Sequence, residues 1–152
     1  MVEGGQREKL RVVVDASVIA KWFIPGEPWE AEARVLGERI VTGEVEAYAP
    51  SLLLYEVASI MLKAAHRSIL RLDDGIKALE ALGQIGLKIQ ENSWSDLTEI
   101  LKIATTTRLT VYDSTYLHLA KKLNAKLITA DMELKQRGEK ITEILLIKDL
   151  KP

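Results

Sequence analysis

The chain has 152 residues, 47% of them hydrophobic, which is enough for one domain closed around a single core and argues against a multi-domain protein. It has no cysteine, which excludes disulfides, thiolate-zinc sites and a cysteine nucleophile and fits a reducing cytoplasm. With 21 Lys plus Arg against 22 Asp plus Glu, the net charge of −1 gives no overall attraction for an anionic partner, which a local basic patch or a bound cation would have to supply.

The opening "MVEGGQREKL" is polar, and residues 1–8 are expected to form a flexible arm ahead of a domain over 9–152. The apolar run that follows is too short and too charged for a signal peptide or a membrane span. Gly4 and Gly5 are too isolated for a phosphate loop. "RVVVD" (11–15) is a continuous β-branched run, as expected of a strand buried on both faces. "ASVIAKWFI" follows and breaks at "PGEP", after which "WEAEARVLGERIVTG" carries apolar residues at helical spacing until Gly43.

"VEAYAP" (45–50) reads as a second strand, and Ser51 as the N-cap of "LLLYEVASIMLKAAHR". Asp73 is expected to cap a further helix through about Leu82, with a third strand in "GLKIQ" (86–90). "SWSD" (93–96) and "TVYD" (110–113) have the S/T-x-x-D form of capping boxes that open helices. "AKLITAD" (125–131) and "ILLIK" (144–148) supply the fourth and fifth strands. Strands alternate with helices throughout, so the predicted fold class is α/β, a central parallel sheet of about five strands with helices on both faces.

In such a sheet, ligands sit beyond the carboxyl ends of the strands. Asp15 ends the first strand and Asp131 follows the fourth. Asp113 and Glu56 lie near the N-termini of helices that run antiparallel to the strands, so they reach the same edge. Each acid also has a local reading: Asp15 and Asp131 as helix caps, Asp113 as the partner of Thr110, Glu56 as the partner of Lys63. Four acids at one edge would repel unless one is protonated or a cation lies among them. An all-oxygen donor set suits Mg²⁺ or Mn²⁺.

The stretches "VVVDASVIAKWF", "PSLLLYEVASIM", "TVYDSTYLHLA" and "LITAD" together resemble PIN-domain proteins, in particular the VapC-type toxins of toxin–antitoxin pairs. The resemblance spans about Val12 to Ile147. It implies a Mg²⁺- or Mn²⁺-dependent endoribonuclease that uses metal-activated water and leaves 5′-phosphate and 3′-hydroxyl ends. Asp15, Glu56, Asp113 and Asp131 would be its metal ligands, directly or through water. Ser17 matches a small hydroxyl position, either holding a ligand or water or serving as a first-turn helix residue.

The expected partners are single-stranded or loop RNA, a small antitoxin and a second copy of the chain in a cytoplasmic homodimer, with no membrane. His66 and His118 are expected to be solvated or to stabilise caps. Lys63, Arg67 and Arg71, or Lys121, Lys122 and Lys126, read as solvated faces or an RNA track. Trp22, Phe23 and Trp29 read as packing, a homodimer contact, a base-stacking surface or a seat for an antitoxin segment. Two rival readings stay open: a non-catalytic module binding a cation or partner, and phosphotransfer with Asp15 as nucleophile.

Overall fold

The computed structural model describes residues 9–151, so the arm expected over 1–8 lies outside the described residues. Five parallel strands, β1 (Leu10–Val14), β2 (Val45–Pro50), β3 (Lys88–Gln90), β4 (Lys126–Thr129) and β5 (Ile144–Leu146), form one sheet in the order β3-β2-β1-β4-β5. Seven helices accompany them: α1 (Ala16–Ile19), α2 (Glu30–Val41), α3 (Leu52–His66), α4 (Leu72–Leu82), α5 (Trp94–Thr107), α6 (Val111–Leu123) and α7 (Met132–Gly138). Both edge strands are short, and the expected fifth strand ends early because residues Ile147–Asp149 close into a 3₁₀ turn.

Val12, Val13 and Val14 point alternately to the two faces, yet none is more than 1% exposed. Both faces of β1 are therefore covered. This requires a β-branched run with no polar alternation, which is what the sequence supplies. From β1 the chain builds outward through β2 to β3, then returns to the other side of β1 for β4 and β5. The switch point, where a crevice opens beyond the strand ends, lies between β1 and β4.

Two predicted caps take a different form. Ser51 occupies the N-cap position of α3 in helical backbone geometry, and its side chain makes no capping bond. Its amide is instead held by Gln90 O at 3.0 Å, so the sheet ladder rather than the hydroxyl sets the entry to α3. Arg71, not Asp73, precedes α4; Asp73 and Asp74 lie in the first turn, where they favour the positive end of the helix dipole. The Ser93 capping box forms in full, whereas at Thr110 the side chain accepts from the Asp113 amide at 3.0 Å without the reciprocal bond.

Trp22 donates its indole N–H to Ala33 O at 2.6 Å and lies flat against Gly37, where a Cβ would sit 3.3 Å from the ring. Lys21, almost fully buried, lies 3.8 Å from Glu27 and 5.4 Å from the Trp29 ring centroid. Trp22 and Lys21 thus tie "KWFIPGEPW" into the packing of α2.

Of its two expected roles, solvated or cap-stabilising, His118 takes the second. Its Nε2 donates to Asp96 at 2.9 Å, and Lys122 donates to the same carboxylate oxygen at 3.2 Å. The other Asp96 oxygen accepts the Ser93 amide at 2.8 Å, so one acid caps α5 and pins it to α6. His118 and Asp96 lie 22 residues apart, so no local spacing pointed to this particular partner. His66 is exposed, as expected.

The bonds from Ser93, His118 and Lys122 hold the Asp96 carboxyl below the usual aspartate range, so it stabilises the fold above the unfolded-state value near 3.8 and loses that contribution as pH falls through its folded value. Asp96→Ala is expected to cost about 1–2 kcal/mol in urea unfolding at pH 7. The gap to wild type should narrow as the pH drops below 4; a gap that is independent of pH would exclude the carboxylate as its cause.

Candidate active site

Asp15 follows β1 directly and caps α1, accepting the Ser17 amide at 2.9 Å. The same Asp15 oxygen accepts the Ser17 hydroxyl, and the other accepts the Thr129 hydroxyl. Each hydroxyl also accepts an amide: Ala130 N donates to Ser17 Oγ and Asp131 N to Thr129 Oγ1, both at 3.0 Å. The ends of β1 and β4 are thus stitched together at the switch point by two hydroxyls that donate to one carboxylate. Ser17 therefore supports Asp15 and also completes the first turn. Asp15 is 6% exposed, and burial pushes its carboxyl up to about 6 against these hydrogen bonds, which pull it down.

Glu56 is half-buried on α3, beside the core stripe of Leu53, Val57 and Met61. Tyr116 Oη donates to Glu56 Oε1 at 2.5 Å. Burial raises the Glu56 carboxyl and the charge of Asp113 raises it further, while the tyrosine bond opposes both. No ion pair joins Glu56 to Lys63 among the described residues. Asp113, in the first turn of α6, is raised by burial, lowered by Thr110, and raised again by the charges of Asp131 and Glu133.

Asp131 is exposed and caps α7, accepting the amides of Glu133 at 2.9 Å and Leu134 at 3.3 Å. The local capping roles of Asp15 and Asp131 and their place at a shared edge hold together. Thr129 bonds both the Asp15 carboxylate and the Asp131 amide, Tyr116 bonds Glu56, and charge acts between Glu56 and Asp113 and between Asp113 and Asp131.

Three residues escaped the sequence reading. Thr129, fully buried, sits two positions before Asp131 in "LITAD", and a polar residue inside an apolar strand was the available signal. Tyr116 reads as a core residue because its ring is one; only the tertiary structure shows its hydroxyl on Glu56. Glu133 follows a helix cap and looks like an ordinary first-turn acid.

The donor set is all oxygen and suits a hard divalent ion; burial pushes the Asp15, Glu56 and Asp113 carboxyls toward their neutral forms, neighbouring acids add to this for Glu56 and Asp113, and a cation would favour the ionised forms. Among the described residues no three acidic or histidine side chains close into a ready-made cage. Water would complete the shell, as Mg²⁺, which dehydrates reluctantly, favours.

A parallel sheet with an acidic cluster at its switch point is shared by many nucleases and phosphotransfer proteins, so the family rests on comparison. The PIN domain model matches residues 12–140, and the chain belongs to the PIN-domain family. It is 34% identical over 129 residues to Ribonuclease VapC3 of Pyrobaculum aerophilum, covering 84% of this chain and 95% of that protein. The crystal structure of PAE2754 from the same organism superposes with a TM-score of 0.71 at 23% identity, covering 93% of this chain and 86% of that one. VapBC2 of Rickettsia felis, solved bound to a DNA fragment from its promoter, gives 0.67 at 13% identity over 90% and 98% of the two chains. These two structures share the fold.

Because the Asp15 carboxyl is raised in the folded state, its contribution to stability is fully present below the unfolded value of 3.8 and is lost as pH rises through about 6. Metal-free Asp15→Asn is therefore expected to be more stable than wild type at pH 8, by up to about 3 kcal/mol, and to lose that advantage near pH 4. Thermal unfolding at the two pH values checks this; a variant less stable than wild type at pH 8 would show that Asp15 is not held against its own charge.

Proposed function

We propose that this PIN-domain protein is a metal-dependent endoribonuclease, the toxin of a VapBC-type toxin–antitoxin pair, with Asp15, Glu56, Asp113 and Asp131 holding Mg²⁺ or Mn²⁺ directly or through water. The observation that carries the reading is the placement of Asp15, Glu56, Asp113 and Asp131 at the carboxyl edge of the sheet beside its switch point, with Glu56 and Asp113, and Asp113 and Asp131, near enough for charge to act between them. Similarity to a protein named as a ribonuclease, over most of both chains, supports the choice of RNA as substrate.

When bound, the ion supplies positive charge for a phosphodiester and lowers the pKa of a water. The protein's own residues do the positioning. Ser17 and Thr129 fix the Asp15 carboxylate at the ends of β1 and β4, Thr110 and the helix dipole favour ionised Asp113, and the N-cap of α7 presents Asp131. Phosphotransfer through Asp15 draws less support, because no lysine or arginine pairs with it among the described residues.

The proposed substrate class is single-stranded or loop RNA, whose unpaired backbone reaches a site at the sheet edge without melting a duplex. A small antitoxin, a homodimer and a cytoplasmic location complete the proposal. No helix among the described residues is long and apolar enough to cross a membrane.

Purified protein is expected to cleave labelled single-stranded RNA with Mg²⁺ or Mn²⁺ and to stop in EDTA, and Asp15→Asn is expected to lower the rate roughly 100-fold or more. Equal cleavage by wild type and variant would assign the activity to a contaminant and remove the acids from the chemistry.

A further inference from the structure

Tyr116 lies one turn after Asp113 on α6, with its ring in the core and the residue only 2% exposed. Its hydroxyl nevertheless ends at the acidic edge, where it donates to Glu56 on α3, sixty residues away in sequence. That is the single hydrogen bond Glu56 receives among the described residues, and it engages Oε1 while leaving Oε2 open. One buried hydroxyl therefore ties α6, the helix that carries Asp113, to the carboxylate of Glu56 on α3.

A glutamate has three rotatable side-chain bonds, and a half-buried one with no partner would swing out to water. A tyrosine held by its packed ring has few conformations to lose, so it can fix a neighbour with little entropic penalty of its own. We infer that the Tyr116 hydroxyl is a positioning group that fixes the Glu56 carboxylate for a divalent ion. The inference rests on the metal-site reading above. Hydrogen bonds that orient metal ligands typically change metal affinity 10–100-fold when removed.

Tyr116→Phe removes only the oxygen and keeps the ring in the core. The test is Mn²⁺ titration of metal-free protein, followed by the electron paramagnetic resonance signal of free Mn²⁺, for wild type, Tyr116→Phe, Glu56→Gln and the double variant. Tyr116→Phe is expected to weaken Mn²⁺ binding about 10-fold in the wild-type background and to add nothing to Glu56→Gln. Circular dichroism spectra that match wild type would place the loss in the site rather than in the fold. Unchanged binding in Tyr116→Phe, or the same loss in both backgrounds, would overturn the positioning role while leaving the metal site standing. Failure of wild type itself to bind Mn²⁺ would overturn the metal site, and this role with it.

Discussion

The structure depends on how two hydroxyls join the ends of β1 and β4. A side-chain hydroxyl can donate once and accept twice. Ser17 and Thr129 each donate to Asp15 and accept an amide just past the end of β4, Ser17 that of Ala130 and Thr129 that of Asp131. That arrangement lets a carboxylate be buried at the paired ends of two strands. Replacing the Thr129 hydroxyl with an apolar group would leave the buried Asp15 Oδ2 without a partner, and such a group is costly to leave unpaired.

The remaining acids are a consequence of chain direction. In a parallel sheet every crossover helix that leads into a strand starts at the carboxyl edge, so helix N-termini gather where the strands end. Asp113 and Asp131 lie at two such N-termini, and Glu56 lies just beyond a third. The dipoles favour anions there, but burial outweighs them for Asp15, Glu56 and Asp113, with repulsion from neighbouring acids adding to it for Glu56 and Asp113, and all three carboxyls are raised. The protein therefore keeps charge it would be more stable without, as expected where a functional site is maintained at the expense of stability.

Away from that edge, Asp96 does the opposite work. Its partners lower its carboxyl, and it ties α5 to α6 through His118 and Lys122. Because α6 carries both Asp113 and Tyr116, a tie on one part of the helix helps set the position of the acidic residue near its start. The two clusters show how surroundings assign role: aspartates of the same intrinsic acidity are pushed up where water is excluded and acids crowd, and pulled down where donors converge.

The sequence by itself determined the sheet, the helical segments between its strands, and which four acids face one edge. These follow from period and chain direction: "RVVVD" can only be a strand covered on both sides, and parallel crossovers carry Asp15, Glu56, Asp113 and Asp131 to the same end. Local chemistry also settled the Ser93 capping box, because both partners lie three residues apart. The tertiary structure alone decided which groups support those acids. Tyr116 on Glu56, Thr129 on Asp15 and His118 on Asp96 join residues 60, 114 and 22 positions apart, so no spacing rule links them. It also decided where a cap gives way to the ladder, as at Ser51. Hydrogen bonds across a core depend on where packing places two backbones, and that is a property of the whole fold rather than of any stretch within it.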